Sequence, residues 1–161
     1  MDIKDLNFDI FKAFNNDWAL VTSGSINAHN SMTVSWGGMG TIWNKPVVTI
    51  YIKPCRYTHE FIEKNDYFVV SFFDEQYKNA LGIMGTKSGR DISKDVASNL
   101  TPVEHGDNTI YQEAKLTLIC RKIYQNDLDL SKIPSEHIEK YYLKEKPHTM
   151  YIGEVIEVIN N

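Results

Sequence analysis

Six stretches rich in β-branched and aromatic residues recur along this 161-residue chain: Trp18 to Ile26, Met32 to Trp36, Val47 to Ile52, Tyr67 to Phe73, Ile110 to Tyr124 and Met150 to Ile159. Each reads as a β-strand. The run Val47-Val48-Thr49-Ile50-Tyr51-Ile52 is apolar on both faces, as in a strand that lines a barrel on one side and is covered on the other. Leu116, Leu118 and Cys120 alternate with Thr117, Ile119 and Arg121, the period of a strand with one wetter face. The pattern predicts a mainly β fold, a closed or partly closed barrel with peripheral helices.

The helical signals are short. Asp74 is placed as an N-cap for a helix in which Tyr77, Ala80, Leu81 and Met84 share one face, ending near Gly85. Shorter helices are expected from Thr58 through Phe61 and Ile62, after Ser93, and from Pro134 with Ile138, Tyr141 and Tyr142 turned inward. Nothing Pro- or Ser-rich divides the chain, so residues 1–161 are expected to form a single domain.

Charge narrows the function. The 17 Lys and Arg against 21 Asp and Glu give a net charge of −4, no electrostatic footprint for nucleic acid or an anionic membrane. With neither a signal peptide pattern nor an apolar run long enough to span a bilayer, the expected location is cytoplasmic. Cys55 and Cys120 lack C-x-x-C spacing and read as ordinary thiols, and the scattered histidines do not form a metal motif.

Four segments carry possible chemistry. Asn30, Thr33 and Ser35 place hydrogen-bonding groups beside Trp36, and Gly37-Gly38 lets backbone approach a flat ligand; a plain hairpin with Asn and Gly as turn formers is the alternative. Lys53-Pro54-Cys55-Arg56-Tyr57-Thr58 leaves a buried strand and enters a helix with Thr58 as the expected N-cap, so a guanidinium, a hydroxyl and helix amides converge as a phosphate monoester requires. An exposed arginine beside a structural cap is the competing reading. Gly85-Thr86-Lys87-Ser88-Gly89-Arg90-Asp91 is cationic and glycine-flanked without P-loop spacing, and suits either a second wall for the same anion or a solvated turn. His148 opens the last strand, either as a proton donor to a ligand or as an ordinary strand residue.

Taken in order, Asn30-Ser31-Met32-Thr33-Val34-Ser35-Trp36, Lys53-Pro54-Cys55-Arg56-Tyr57-Thr58, Ser88-Gly89-Arg90-Asp91 and His148-Thr149-Met150-Tyr151-Ile152-Gly153-Glu154-Val155 resemble the flavin reductase-like family. The resemblance implies a Greek-key FMN-binding split barrel and a homodimer with flavin near the subunit interface. It implies that Arg56, Tyr57 and Thr58 hold the phosphate, that Asn30 and Ser31 contact the cofactor, and that Met32, Thr33, Val34, Ser35 and Trp36 lie along the isoalloxazine. Ser88, Gly89 and Arg90 would line the cleft mouth, and His148 would face the flavin or a nicotinamide. The implied activity is hydride transfer from NADH or NADPH to flavin N5, with FMN, FAD or riboflavin as the flavin and an oxygenase or redox protein as partner. The alternatives are a flavoredoxin-like FMN electron carrier reduced by a protein, and a pyridoxamine phosphate-oxidising relative. No G-x-G-x-x-G dinucleotide fingerprint is present, so a nicotinamide would stack in an open cleft.

Overall fold

The computed structural model describes residues 1–161. Seven strands form one antiparallel sheet: β1 (Ala19–Ser25), β2 (Ala28–Val34), β3 (Gly37–Ile42), β4 (Lys45–Ile52), β5 (Tyr67–Phe72), β8 (Leu116–Asp127) and β9 (Thr149–Asn160). Between β5 and β8 the chain makes a separate hairpin, β6 (Pro102–His105) with β7 (Asn108–Tyr111). The helices are α1 (Ile10–Lys12), which continues as a π-helical turn, α2 (Tyr57–Lys64), α3 (Lys78–Thr86), α4 (Lys94–Ser98) and α5 (Ser135–Tyr141).

The strand order is β2-β1-β5-β8-β9-β4-β3. Strands β2 and β3 are therefore at opposite edges, yet only Ser35 and Trp36 separate them in sequence. So short a connection reaches across only if the sheet rolls up until its two edges meet. The barrel closes at Ser35-Trp36 and is split there, because β2 and β3 do not pair with one another. Close packing supports the corner: a Cβ on Gly37 would stand 2.5 Å from the Phe14 ring.

Alternation along the strands builds two cores. Ala19 and Val21 of β1 point into the barrel with Met32, Val34, Val48, Ile50, Phe68, Val70, Leu118 and Tyr151. Leu20, between them, faces outward and is sealed by Ala80, Leu81 and Met84 of α3 with Tyr111 of β7. The expected helix face on α3 is thus the one that is buried, and strands apolar on both sides are explained by a filled barrel with a helical cover.

Several local expectations change. The stretch from Ile110 to Tyr124 is two strands, broken at residues 112–115 where the chain turns from the small hairpin into the sheet. The wetter face of β8 begins only at Arg121, since Thr117 and Ile119 are buried at 1% and 2% exposure. Strand β3 has no apolar signature. It is held as a strand by pairing with β4 through a tight turn in which Trp43 and Asn44 both take positive φ, 51° and 57°. Thr58 is not the N-cap of α2; Arg56 is, with extended backbone and no capping side chain. Asp74 precedes a 3-10 turn, Glu75–Tyr77, that leads into α3, and its carboxylate caps nothing. The helix expected after Ser93 is α4, and Ser93 caps it by accepting from the Val96 amide. Ile138, Tyr141 and Tyr142 are only half-buried, so α5 lies on the surface.

Candidate functional site

The N-terminal end of α2, the edge strand β2 and the segment between α3 and α4 meet around a cavity of about 270 Å³. Its walls include Asn30, Met32, Arg56, Tyr57, Thr58, Ser88, Gly89 and Arg90, so three separate sequence segments converge there. The side chain of Asn30 fixes the junction by donating from Nδ2 to Thr58 Oγ1 at 2.8 Å. Gly89 passes so close to Asn30 that any Cβ at this position would overlap the carboxamide oxygen and sit 3.1 Å from the Tyr57 ring. Glycine is required here for close approach.

The cavity is cationic. Arg56 donates from Nη2 to the Gly85 carbonyl at 2.8 Å, which orients the guanidinium while leaving its charge without a carboxylate. Arg90 is different: it pairs with Glu60 at 2.7 Å, donates to the Cys55 carbonyl and lies 4.8 Å over the Tyr57 ring. It therefore straps the loop to α2, and its charge is already met. Lys87 lines the mouth and is exposed.

Sequence reasoning missed Lys94. Its side chain lines the cavity, is 6% exposed and belongs to no ion pair. Burial, reinforced by the nearby Arg56 charge, pushes its ammonium down to about 8 against a smaller opposing pull from Asp95. Buried lysines without a partner are costly, and the place of this one against a cavity suits an anionic ligand. No local pattern signals it, because Ser93-Lys94-Asp95 reads as a capped, solvated helix start.

The neighbouring acid is occupied. Asp95 Oδ1 accepts from the Tyr111 hydroxyl at 2.5 Å and Oδ2 lies 2.8 Å from His29 Nε2, while Tyr111 also meets Ser31 at 2.9 Å. Burial alone would raise the Asp95 pKa, but the His29 and Tyr111 hydrogen bonds outweigh it and hold the carboxyl low. For His29, Asp95 likewise outweighs burial and raises the ring.

The segment from Asn30 to Trp36 does not act as one surface, because strand alternation divides it. Asn30, Met32 and Val34 turn toward the barrel, with Val34 in the core. Ser31 is bound to Thr22 and Tyr111, and Thr33 donates to the Leu81 carbonyl at 2.5 Å. The expected grouping of Asn30 with Thr33 on one ligand face is therefore corrected. Ser35 is half-buried at the corner and Trp36 is 43% exposed. As an edge strand, β2 keeps a row of backbone amides and carbonyls turned away from β1.

His148 lies outside this cavity, 7% exposed, with its ring 5.4 Å from Trp36 and 5.6 Å from Tyr142. Tyr142 Oη and His148 Nδ1 are 2.7 Å apart. Burial, then the Lys53 charge, lower the ring to about 4. That direction disfavours the charged form near neutral pH, so a proton-donating role for His148 would fall to the single N–H of the neutral ring.

A larger cavity, about 690 Å³, lies elsewhere, between the N-terminal segment and the Phe72-Phe73 end of β5. Asp5, Asp9, Asp17 and Asp74 line it with Lys12 and Lys115, which pair with Asp17 and Asp74, and it contains none of the motifs. No cluster of His, Cys, Asp or Glu suits a metal ion, and no helix is long and apolar enough to cross a membrane.

The fold and the site together define a split antiparallel barrel with a small cationic cavity beside its open edge. The chain belongs to the flavin reductase like domain family, whose model matches residues 11–161. No curated protein matches it significantly. Among solved structures it is similar to an FMN-binding protein from Thermus thermophilus, with a TM-score of 0.72, 18% identity and coverage of 100% of this chain and 82% of that one. Flavoredoxin from Methanosarcina acetivorans gives a TM-score of 0.71, 17% identity and coverage of 98% and 75%. Nitrilotriacetate monooxygenase component B from Bacillus cereus gives 0.69, 19% identity and coverage of 88% and 67%.

Proposed function

We propose that the 161 residues act as one FMN-binding unit whose flavin phosphate sits in the cavity of Arg56 and Lys94, and that the chain is an NAD(P)H-dependent flavin reductase. The observation that carries this reading is the pair of cations without carboxylate partners at the uncapped start of α2. Such a cluster suits a dianionic phosphate ester. When bound, the flavin supplies the redox chemistry, taking a hydride at N5 and passing electrons to an acceptor.

The protein's part is positional. Arg56 and Lys94 anchor the phosphate, Gly89 lets the loop close on it, and the Asn30-Thr58 bond keeps β2 and α2 in register. A bound ring would meet β2, whose unpaired edge leaves backbone groups free to hydrogen-bond it. Trp36 and His148, whose rings pack 5.4 Å apart, would stand beyond the cavity at the far end of such a ligand. FAD and riboflavin are alternative flavins, and a second copy of the chain would cover the open edge. We place the protein in the cytoplasm, serving an oxygenase or another redox protein.

One observation favours the electron-carrier alternative. Tyr141 packs edge-on against Trp36 at 5.3 Å and Tyr142 against His148, so α5 and the residue after it cover the side assigned to a nicotinamide. Anaerobic mixing of the FMN-loaded protein with NADH and with NADPH separates the two. Rapid bleaching of the flavin supports the reductase; flavin that stays oxidised with both donors supports the carrier.

A further inference from the structure

The chain has two thiols, and the fold separates them. Cys120 is 0% exposed, packed inside the barrel, out of reach of any solute. Cys55 is exposed. It sits in the turn between β4 and α2, which the Arg56 amide closes by donating to the Lys53 carbonyl at 3.0 Å. Arg90 ties this turn to the loop after α3 by donating to the Cys55 carbonyl.

An exposed thiol alone is ordinary. What distinguishes Cys55 is the cavity it borders, which has Arg56, Lys87 and Lys94 in its walls and no Asp or Glu among its lining residues. Lys94 is 6% exposed, faces this cavity and belongs to no ion pair. Arg56 is bound only to the Gly85 carbonyl, and α2 begins without a capping side chain. A negatively charged solute drawn into the cavity therefore arrives beside a sulfur atom. The flavin chemistry proposed above makes no use of that sulfur.

We propose that Cys55 is a modification site for small disulfides that carry carboxylates, with Arg56 and Lys94 attracting the carboxylate while the adjacent sulfur attacks the disulfide. Cys55 loses its thiol proton to solvent, and its sulfur bonds to one sulfur of the reagent. The S–S bond of the reagent breaks, and the other half leaves as a thiolate. Cys55 is thereby oxidised to a mixed disulfide, and the departing half of the reagent is reduced. The adduct carries its own carboxylate into the cavity, so modification and the binding of any other anion exclude one another. The cavity's charge acts on the rate: clefts lined by one sign concentrate oppositely charged reactants by about tenfold or more. The inference goes beyond the flavin reading and needs only the anion cavity.

The test compares the rates at which the purified chain reacts with two aromatic disulfides, the dianion dithiobis(nitrobenzoate) and the uncharged dithiodipyridine, with N-acetylcysteine amide as the reference thiol. The expected result is a single reactive thiol, lost in Cys55→Ser, with a preference for the dianion about tenfold above that of the reference. Lys94→Gln and Arg56→Gln should each lower this preference by about threefold or more, as should raised salt. Inorganic phosphate should slow the dianion and leave the uncharged reagent unaffected. The modified parent should lose FMN by at least about tenfold, whereas Cys55→Ser treated in the same way keeps it. A preference no greater than the reference, one that both charge variants leave unchanged, or reaction that survives Cys55→Ser overturns the inference. So does a modified chain that binds FMN as the untreated one does. If the untreated chain binds no FMN, the flavin reading fails and the rate preference still decides the modification site.

Discussion

Asn30 of β2 donates to Thr58 of α2 at 2.8 Å, and this bond joins the free edge of the barrel to the helix that carries Arg56. Both residues are buried, at 7% and 1% exposure. Removing the carboxamide leaves the largely buried Thr58 hydroxyl without its donor. Asn30→Ala should therefore cost about 1–3 kcal/mol of stability by chemical denaturation, and should also weaken FMN, because the strand and the helix are no longer locked together.

The two arginines of the cavity should behave differently. Arg56 has no carboxylate partner, whereas Arg90 is paired with Glu60 on the surface. Fluorescence titration should show Arg56→Ala losing about tenfold to a hundredfold in FMN affinity, the value of a charge-assisted hydrogen bond of roughly 1.5–3 kcal/mol. Arg90→Ala should lose much less. An equal loss in both would mean that Arg90 leaves Glu60 to hold the ligand.

Gly89→Ala tests the close approach directly. The added methyl group would overlap the Asn30 oxygen and crowd Tyr57, so the loop must retreat from β2. FMN affinity should fall more than thermal stability, since Gly89 lies in a half-buried connecting loop. A fully stable variant with unchanged FMN affinity would place the ligand elsewhere.

Much of this architecture could be read from the sequence, and the exceptions share a cause. The run from Val47 to Ile52 and the helix face of Ala80, Leu81 and Met84 declare themselves because burial on a fixed period leaves an apolar pattern. Gly37 to Ile42 leaves none; its strand state is imposed by β4. The segments of Arg56, Thr58 and Gly89 were legible as candidates for one site, and the three residues do line one cavity. Lys94 was not, because what makes it distinctive is its burial against a cavity walled by elements distant in sequence. The division of Ser31 and Thr33 from Asn30 follows from β2 beginning at Ala28 rather than Met32.

Two histidines should give the protein opposite pH responses. His29 is raised by Asp95, so its stabilising contribution is complete below its unfolded pKa of about 6.5 and is lost as pH rises through the higher folded value. His148 is lowered to about 4, so the unfolded chain takes up its proton first and stability falls as pH drops below about 6.5. Denaturation midpoints should show His29→Gln removing a loss on the alkaline side. His148→Gln should remove a loss on the acid side on the order of 2 kcal/mol. A midpoint in the His148 variant that still follows the parent below pH 6 would contradict the neutral buried ring.

The account stands most directly on a titration of the purified chain with FMN at pH 7, followed through the visible absorbance of the flavin, with riboflavin as control. The predicted result is a perturbed spectrum that saturates at one FMN per chain, with riboflavin weaker by about tenfold or more. An unperturbed spectrum, or equal affinity for the two flavins, would contradict a site built around Arg56 and Lys94.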